Sequence, residues 1–279
     1  MGKRVRAVLI FGHWARTVAY RPTCEKGTNM PHGAVALISA FALIFLLAGC
    51  SQPETAEQQN DALQVSDTSV VSSGASQESE GQAAKPTAEE LRAKLDLSED
   101  YRSGFNHGTK TAEYQKYIVL HDTEVDASGS SIVDSWEGSG NMVAAHFVVN
   151  KDGSIVQCVP LDAIAHHAGY GDTGHNESYG VTDESRDDKA GTTSAPSRAI
   201  TDYGMNSYSV GIEIVHVGGA GDYPEEQLQA VDSLIAYIDA YYGKESTIID
   251  HKAWRTGNSD TSPEFADYLA NYEGHRTHA

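Results

Sequence analysis

Of four polar residues that could do metal-assisted hydrolytic chemistry, three stand at the ends of short apolar runs. Runs of this kind, rich in β-branched residues, are typical of buried strands. The runs are YIVL before His121, SVGI before Glu213 and TII two residues before His251. The fourth residue, Asp260, lies nine residues beyond His251 in a polar stretch. Two histidines and one aspartate form a three-ligand zinc set with an open fourth position, which leaves Glu213 as a base.

The elements that must position these residues form a mixed pattern of strands and helices. The predicted strands are 117–120, 145–149, 154–159, 209–215 and 247–249, with the turn signal Lys151-Asp152-Gly153 between the second and third. Helices are predicted from the capping box Thr87-x-x-Glu90, near Ile132, from Pro224 to Gly243, and from Pro263. Polar residues at strand ends tend to converge at one edge of a sheet, where sites are built. We therefore expect an α/β fold with a mixed central β-sheet flanked by helices, as a single domain.

The N-terminal part of the chain predicts export. Residues 34–48 are apolar, a length too short for a comfortable membrane span and suited to a signal peptide. They lead to Leu47-Ala48-Gly49-Cys50, which resembles the lipobox of bacterial lipoproteins. The resemblance implies lipidation of Cys50 and an extracytoplasmic protein anchored to the cell membrane by lipid. An uncleaved N-terminal anchor is the alternative, and the start at Met1 or Met30 stays open.

Composition shifts divide the rest of the chain. Residues 1–49 are predicted to be the signal peptide and residues 50–86, rich in Ser, Gln, Glu, Gly and Ala, a disordered tether. Residues 87–111 are predicted as a short helical lead-in and residues 112–279 as one folded domain. Residues 170–205 form a long insert without clear periodicity, which is more often a functional loop than a defect.

Charge and cysteine content narrow the classes of partner. Six lysines and arginines and one glutamate give residues 1–49 a net charge of +5, so the total of −19 leaves −24 for residues 50–279. A polyanion gains no counterion-release affinity for nucleic acid, and we therefore expect no nucleic-acid partner. Once the leader cysteines are set aside, Cys158 stands alone in a strand-like run, so we expect core packing and no intrachain disulfide.

The order of five motifs is more specific than any one of them. The series is YIVLHDT (117–123), AAHFVVNKDGSIVQCVP (144–160), AHHAG (165–169), NSYSVGIEIVH (206–216) and DHKAWRTGNSDTSPEF (250–265). It resembles the type-2 N-acetylmuramoyl-L-alanine amidases, zinc hydrolases that share their fold with the peptidoglycan recognition proteins. The resemblance covers about residues 112–272, essentially the whole of the predicted domain 112–279, and implies that this is a zinc amidase domain.

Roles for individual residues follow from this resemblance by position. The zinc ligands are implied to be His121, His251 and Asp260, and the catalytic residue Glu213. The residues implied to line the substrate groove are His146, His167 and Asn206. Two imidazoles and one carboxylate leave a zinc site with a formal charge of +1, so the ion stays a Lewis acid.

One position departs from the family pattern. The family commonly has a lysine two residues before the aspartate ligand, where it stabilises the oxyanion, and this chain has Asn258. An amide donates a hydrogen bond but brings no positive charge, which puts the rate or the pH optimum in doubt because oxyanion stabilisation is often the largest catalytic contribution. Arg255, Lys252 or His167 are the candidates to compensate. His166 also replaces the family's frequent tryptophan, and either a groove or a surface position is open to it.

The resemblance implies hydrolysis of the amide bond between N-acetylmuramic acid and L-alanine in peptidoglycan, with Zn²⁺ as cofactor. Peptidoglycan or muropeptides and, through the lipid anchor, the membrane are the expected partners, and we expect a monomer. Two alternatives remain: a non-catalytic peptidoglycan-binding module on the same fold, and a zinc amidase for another acyl-amino-acid amide. Retention of all three implied ligands disfavours the binding module.

Overall fold

A six-stranded mixed β-sheet forms the centre of the structure, a computed structural model that describes residues 85–279. The predicted signal peptide, Cys50 and nearly all of the predicted tether lie outside the described residues. Within residues 85–279, no helix has the length and apolar character needed to cross a membrane.

The strands in the described part of the chain form one large and one small sheet. Their bounds are β1 Leu97–Glu99, β2 Tyr117–Asp122, β3 Phe147–Val149, β4 Ile155–Gln157, β5 Gly171–Asp172, β6 Ile200–Asp202, β7 Ser209–Ile214 and β8 Thr247–Asp250. The large sheet has the order β1-β4-β3-β7-β2-β8, and β5 pairs with β6 separately. Every neighbouring pair in the large sheet is parallel except β3 and β4, which form the predicted hairpin. The expected mixed α/β fold is therefore confirmed, although β1 was not predicted.

Helices cover both faces of this sheet. Their bounds are α1 Ala88–Arg92, α2 Gly129–Ser139, α3 His175–Ser178, α4 Glu225–Tyr242, α5 His251–Trp254 and α6 Ala266–His275. The capping box predicted at Thr87 is present at the start of α1. Pro224 and Gly243 cap the two ends of α4, and Gly243 adopts the left-handed conformation with φ 68° that ends the helix. The last helix begins as predicted at Pro263, with one 3-10 turn before α6.

Strand alternation assigns the two sheet faces to different tasks. Ile118 and Leu120 of β2, with Ile212 of β7, point to one face and pack against the apolar side of α4. Burying each such side chain contributes roughly 1.5–3 kcal/mol relative to leaving it exposed. Because successive residues of a strand point to opposite faces, His121 and Glu213 project from the other face. The α4 side of the sheet thus carries the largest apolar cluster, and the opposite side carries the polar site beside two smaller apolar clusters.

Stacked imidazoles fasten the insert to the domain. The rings of His107 and His166 are parallel within 3°, with centroids 3.3 Å apart, and face Asp188 and Asp187 at 3.0 and 2.8 Å. Ring nitrogens of both histidines lie within 4.8 Å of an Asp188 oxygen, as in a metal site. Imidazole lone pairs lie in the ring plane, however, and one ion cannot lie in two parallel planes. We interpret this group as a structural contact that holds the insert against the domain, with His166 buried beneath the surface.

Candidate metal and catalytic site

Three ligand atoms face one another at the edge of the sheet where β2 and β8 end. His121 is the fifth residue of β2, His251 opens α5 directly after β8, and Asp260 lies in the loop that follows. The Nδ1 atoms of the two histidines are 3.1 Å apart, and Asp260 Oδ2 is 2.9 Å from one and 3.0 Å from the other. The structure thus brings together the three residues that the sequence predicted as zinc ligands.

The donor set fits a zinc ion. His121 Nε2 and His251 Nε2 are both occupied on the far side, by His167 Nδ1 at 3.1 Å and by the Ala168 carbonyl at 2.9 Å. The carbonyl can only accept, so His251 carries its proton on Nε2 and turns the Nδ1 lone pair inward. Ligating histidines are held in the same way when the outer nitrogen donates to an oxygen acceptor. A metal ion bound between these three inward-facing acceptors would satisfy all of them.

The electrostatics of the three residues suit metal binding. Burial and the neighbouring His251 lower the pKa of His121, which favours the neutral imidazole that a metal requires. Burial alone would raise the pKa of Asp260, but the neighbouring His121 and His251 hold that pKa well below its usual range. Asp260 is therefore present as a carboxylate.

Aspartates next to the two histidines hold the loop that carries Asp260. Asp122, beside His121, accepts hydrogen bonds from the Ser262 backbone N–H and, at 2.7 Å, from the Tyr223 hydroxyl. Asp250, beside the other histidine, accepts a longer bond of 3.4 Å from Thr261 Oγ1. The two residues that follow Asp260 are therefore fixed to the strands that supply the histidines, and this places the third ligand.

We expect Asp122→Ala to weaken metal binding without touching a ligand. Alanine offers no acceptor to the buried Ser262 backbone N–H, and a buried donor left without a partner costs about 1–3 kcal/mol in the free energy of unfolding. Zinc affinity, measured by competition with a chelator, should fall with it. Tyr223→Phe is the matched control, because it removes a hydrogen bond to Asp122 but keeps the bond from the Ser262 N–H. Unchanged zinc affinity in Asp122→Ala would mean that this anchor does not place Asp260.

Glu213 lies beside the metal-binding triangle on β7. It is in register with His121 on the adjacent parallel strand, so both project from the same face of the sheet. Its Oε2 is buried and has no hydrogen-bond partner. Burial and the nearby Asp260 carboxylate raise the pKa of Glu213 well above its usual range. A carboxyl group poised to hold a proton next to a metal site suits general acid–base work.

A cavity opens beside Glu213 between the ends of β2 and β7 and helix α2. Its volume is about 440 Å³. The lining combines apolar side chains with hydroxyl groups and includes Thr123, Val125, Ser131 and Trp136 as well as Glu213. The Glu213 carboxyl group therefore borders a space large enough for a small ligand.

Two of the predicted groove residues lie beneath the surface. His146 is fully buried: its Nδ1 accepts from the Gly211 N–H at 3.1 Å and its Nε2 donates to the Ala163 carbonyl at 3.1 Å. Asn206 is also fully buried, and its Oδ1 accepts from the N–H groups of His167 and Ala168. The expectation that both residues line the groove is corrected, because both are buried and the His146 ring nitrogens and the Asn206 oxygen bind the protein's own backbone.

The cations considered as replacements for the family lysine are held by other partners. Lys252 Nζ donates to the Thr261 carbonyl at 2.8 Å. Arg255 Nε donates to Asn258 Oδ1 at 3.0 Å, and the Asn258 Nδ2 atom is buried without a partner. His167 contacts the outer nitrogen of His121. Asn258 Nδ2 is therefore a buried donor that is not used by the protein.

The sequence did not predict the residues whose hydrogen bonds hold the ligands and the Asp260 loop in place. These are Asp122, Ser209 and Ser262, together with the carbonyl of Ala168. Asp122 was adjacent to a predicted ligand, and Ser209 began a predicted strand, but neither position signals its partner. Their partners lie 42 or more residues away in the chain.

Several solved structures share the arrangement of the chain in part. A mutant endolysin from Bacillus subtilis is 20% identical, with a TM-score of 0.44, and the match covers 65% of this chain and 99% of that one. The amidase LysC from Clostridium intestinale URNW is 17% identical, with a TM-score of 0.42 and coverage of 61% and 91%. The Staphylococcus aureus hydrolase AmiA is 18% identical, with a TM-score of 0.41 and coverage of 65% and 79%.

Comparison with curated proteins gave no match. The family model described as N-acetylmuramoyl-L-alanine amidase matches residues 111–264, which is more than half of the chain and includes all four residues of the site. The match also spans the five ordered motifs almost completely. The chain therefore belongs to the Amidase_2 family of N-acetylmuramoyl-L-alanine amidases.

Proposed function

We propose that this protein is a zinc-dependent hydrolase of the amide bond between the lactyl group of N-acetylmuramic acid and the L-alanine of the stem peptide, acting in cell-wall remodelling or recycling. The observation that carries the proposal is the triangle of His121, His251 and Asp260 with Glu213 beside it. A binding module would need neither three converging ligand atoms nor a buried carboxyl group without a partner. Family membership supports the choice of bond.

The residues of the chain divide the chemistry between them. His121, His251 and Asp260 would hold the zinc, which when bound supplies a Lewis acid that polarises the carbonyl and makes water more acidic. Glu213 takes a proton from the attacking water and returns it to the leaving amine of L-alanine. Its raised pKa suits the second of these steps, because the proton must stay on the carboxyl group until the amine accepts it.

For the oxyanion we propose Asn258 as the hydrogen-bond donor. Arg255 holds its Oδ1 at 3.0 Å, which fixes the amide and leaves Nδ2 free to donate. Arg255 also supplies a positive charge behind the amide, which strengthens Nδ2 as a donor. Asn258 therefore replaces the lysine of the family with a polarised neutral group.

We further propose that the enzyme works outside the cytoplasmic membrane as a lipid-anchored monomer. The apolar segment 34–48 and the lipobox-like sequence that ends at Cys50 support export and lipidation. The polar composition of residues 51–85 supports a tether that lets the domain reach nearby peptidoglycan. Retention of radiolabelled palmitate by the wild-type protein, but not by Cys50→Ser, would test the anchor.

The proposed reaction has a distinctive product. The purified protein is expected to bind about one zinc per chain and to release free stem peptides, beginning with L-alanine, from purified peptidoglycan. Mass spectrometry identifies the peptides and elemental analysis the metal. Binding to peptidoglycan without release would favour the binding module. Cleavage of other acyl-amino-acid amides alone would favour a zinc amidase with a different substrate. Loss of all activity on removal of zinc, with recovery on its return, completes the test.

A further inference from the structure

We propose that His167 is a positioning residue, which orients the zinc ligand His121 and does not bind substrate. The inference rests on the proposed zinc site. The resemblance at the H-A-G motif placed His167 in the substrate groove. In the structure its Nδ1 instead lies 3.1 Å from the outer nitrogen of His121, and its Nε2 lies 3.0 Å from Ser209 Oγ. Both ring nitrogens are thus occupied by the protein.

The direction of each hydrogen bond follows from the far end of this chain of contacts. The Met205 carbonyl can only accept, so Ser209 Oγ donates to it, at 2.6 Å. The serine oxygen then accepts from His167 Nε2–H, which leaves His167 Nδ1 as an acceptor. That acceptor requires a proton on His121 Nε2. His121 must therefore present the lone pair of Nδ1 to the metal.

Backbone hydrogen bonds and close packing against β7 hold the His167 ring in this position. The Asn206 side chain accepts hydrogen bonds from the backbone N–H groups of His167 and Ala168, at 3.1 and 2.9 Å. Beneath the ring lies Gly211, where a Cβ atom would approach His167 Cγ to 2.4 Å. Glycine at position 211 is therefore required for the ring to lie against β7. The motifs around residues 167 and 209 form one unit for this reason.

The two ligand histidines are oriented by different means, although by neighbouring residues. His251 donates to the backbone carbonyl of Ala168, an acceptor that no substitution of that side chain removes. His121 depends on a side chain, and the proton position on that side chain depends on Ser209. The chain can therefore lose the orientation of His121 by mutation at position 167 while the other ligand stays in place.

The test is zinc affinity in a matched pair of variants. His167→Leu removes the acceptor, and His167→Asn, of similar size, can restore an acceptor oxygen near the position of Nδ1. We expect His167→Leu to bind zinc about 10–100-fold more weakly, the usual effect of losing a partner of a ligating histidine. We expect His167→Asn to recover most of the affinity. Competition with a chelator measures the affinity, and the visible spectrum of the cobalt-substituted protein reports the ligand geometry.

Urea unfolding of the metal-free variants separates orientation from packing. Loss of packing would lower the free energy of unfolding of either variant, whereas loss of orientation lowers zinc affinity in His167→Leu alone. Equal zinc affinity in wild type and His167→Leu would overturn the inference and leave the proposed function standing. Equal weakening in Leu and Asn variants would also overturn it, since an acceptor would then make no difference. Absence of zinc binding by the wild-type protein would instead overturn the proposed function.

Discussion

Glu213→Gln is expected to lower the rate of stem-peptide release by roughly 10²–10⁴-fold while the protein keeps its zinc. Glutamine has nearly the same shape but can neither take the proton of water nor return one to the leaving amine. The carboxyl group touches none of the three ligand atoms through a hydrogen bond, so metal affinity should not change. Release of L-alanyl peptides from peptidoglycan and zinc content, measured on the same preparation, check both parts.

The control for this variant is Glu226→Gln on the exposed side of α4, which removes one negative charge far from the site. It should be as active as the wild-type protein. Stability offers a second comparison, because burying an ionised carboxylate is costly and an amide does not carry that cost. Glu213→Gln should therefore unfold at the same urea concentration as the wild type or a higher one. Full activity in Glu213→Gln would contradict the role proposed for Glu213.

His251→Ala is expected to lose both zinc and activity. Only two ligand atoms of the triangle would remain, and a tetrahedral zinc site needs three from the protein when the fourth position is open. The loss of hydrolysis should be complete within detection, since the residual protein has no Lewis acid. Elemental analysis after dialysis, followed by the peptide-release assay with zinc added back, measures the two effects.

A control variant tests whether the loss of any histidine would have the same effect on zinc content and activity. His275, at the end of α6, is exposed, and His275→Ala should keep one zinc per chain and normal activity. Zinc retained at full occupancy in His251→Ala would contradict the ligand set. In that case the metal would have to be held by residues other than the triangle, and the proposed function would have to be revised.

The parts of the fold that were predictable are those encoded locally. The run before His121, the turn at Lys151-Asp152-Gly153 and the helix between Pro224 and Gly243 each carry their signal within a few residues. All three have the predicted structure. The strand β1, only three residues long at Leu97–Glu99, has no such signal, because pairing with β4 rather than its own composition makes it a strand.

The site was predictable in its ligands and not in its support. His121 and His251 stand at strand ends, and parallel strands bring such ends together. Asp260 reaches them only because Asp122 and Asp250 hold the residues after it, through contacts that span 140 and 11 residues of chain. The resemblance also placed His146 and Asn206 at the surface, because a motif records where a residue lies along the chain and not how deeply it is buried. Their burial is a property of the packed structure.

The packing of α1 has a practical consequence for how the enzyme can be handled. Leu91 of α1 packs into the apolar core on the α4 side of the sheet, whereas His121 and Glu213 project from the other side. A bead, a biosensor surface or a fusion partner joined just before residue 85 would therefore attach at the back of the domain. Immobilised in that orientation, the enzyme would present its catalytic side outward, and insoluble peptidoglycan fragments in suspension could be assayed directly at the surface.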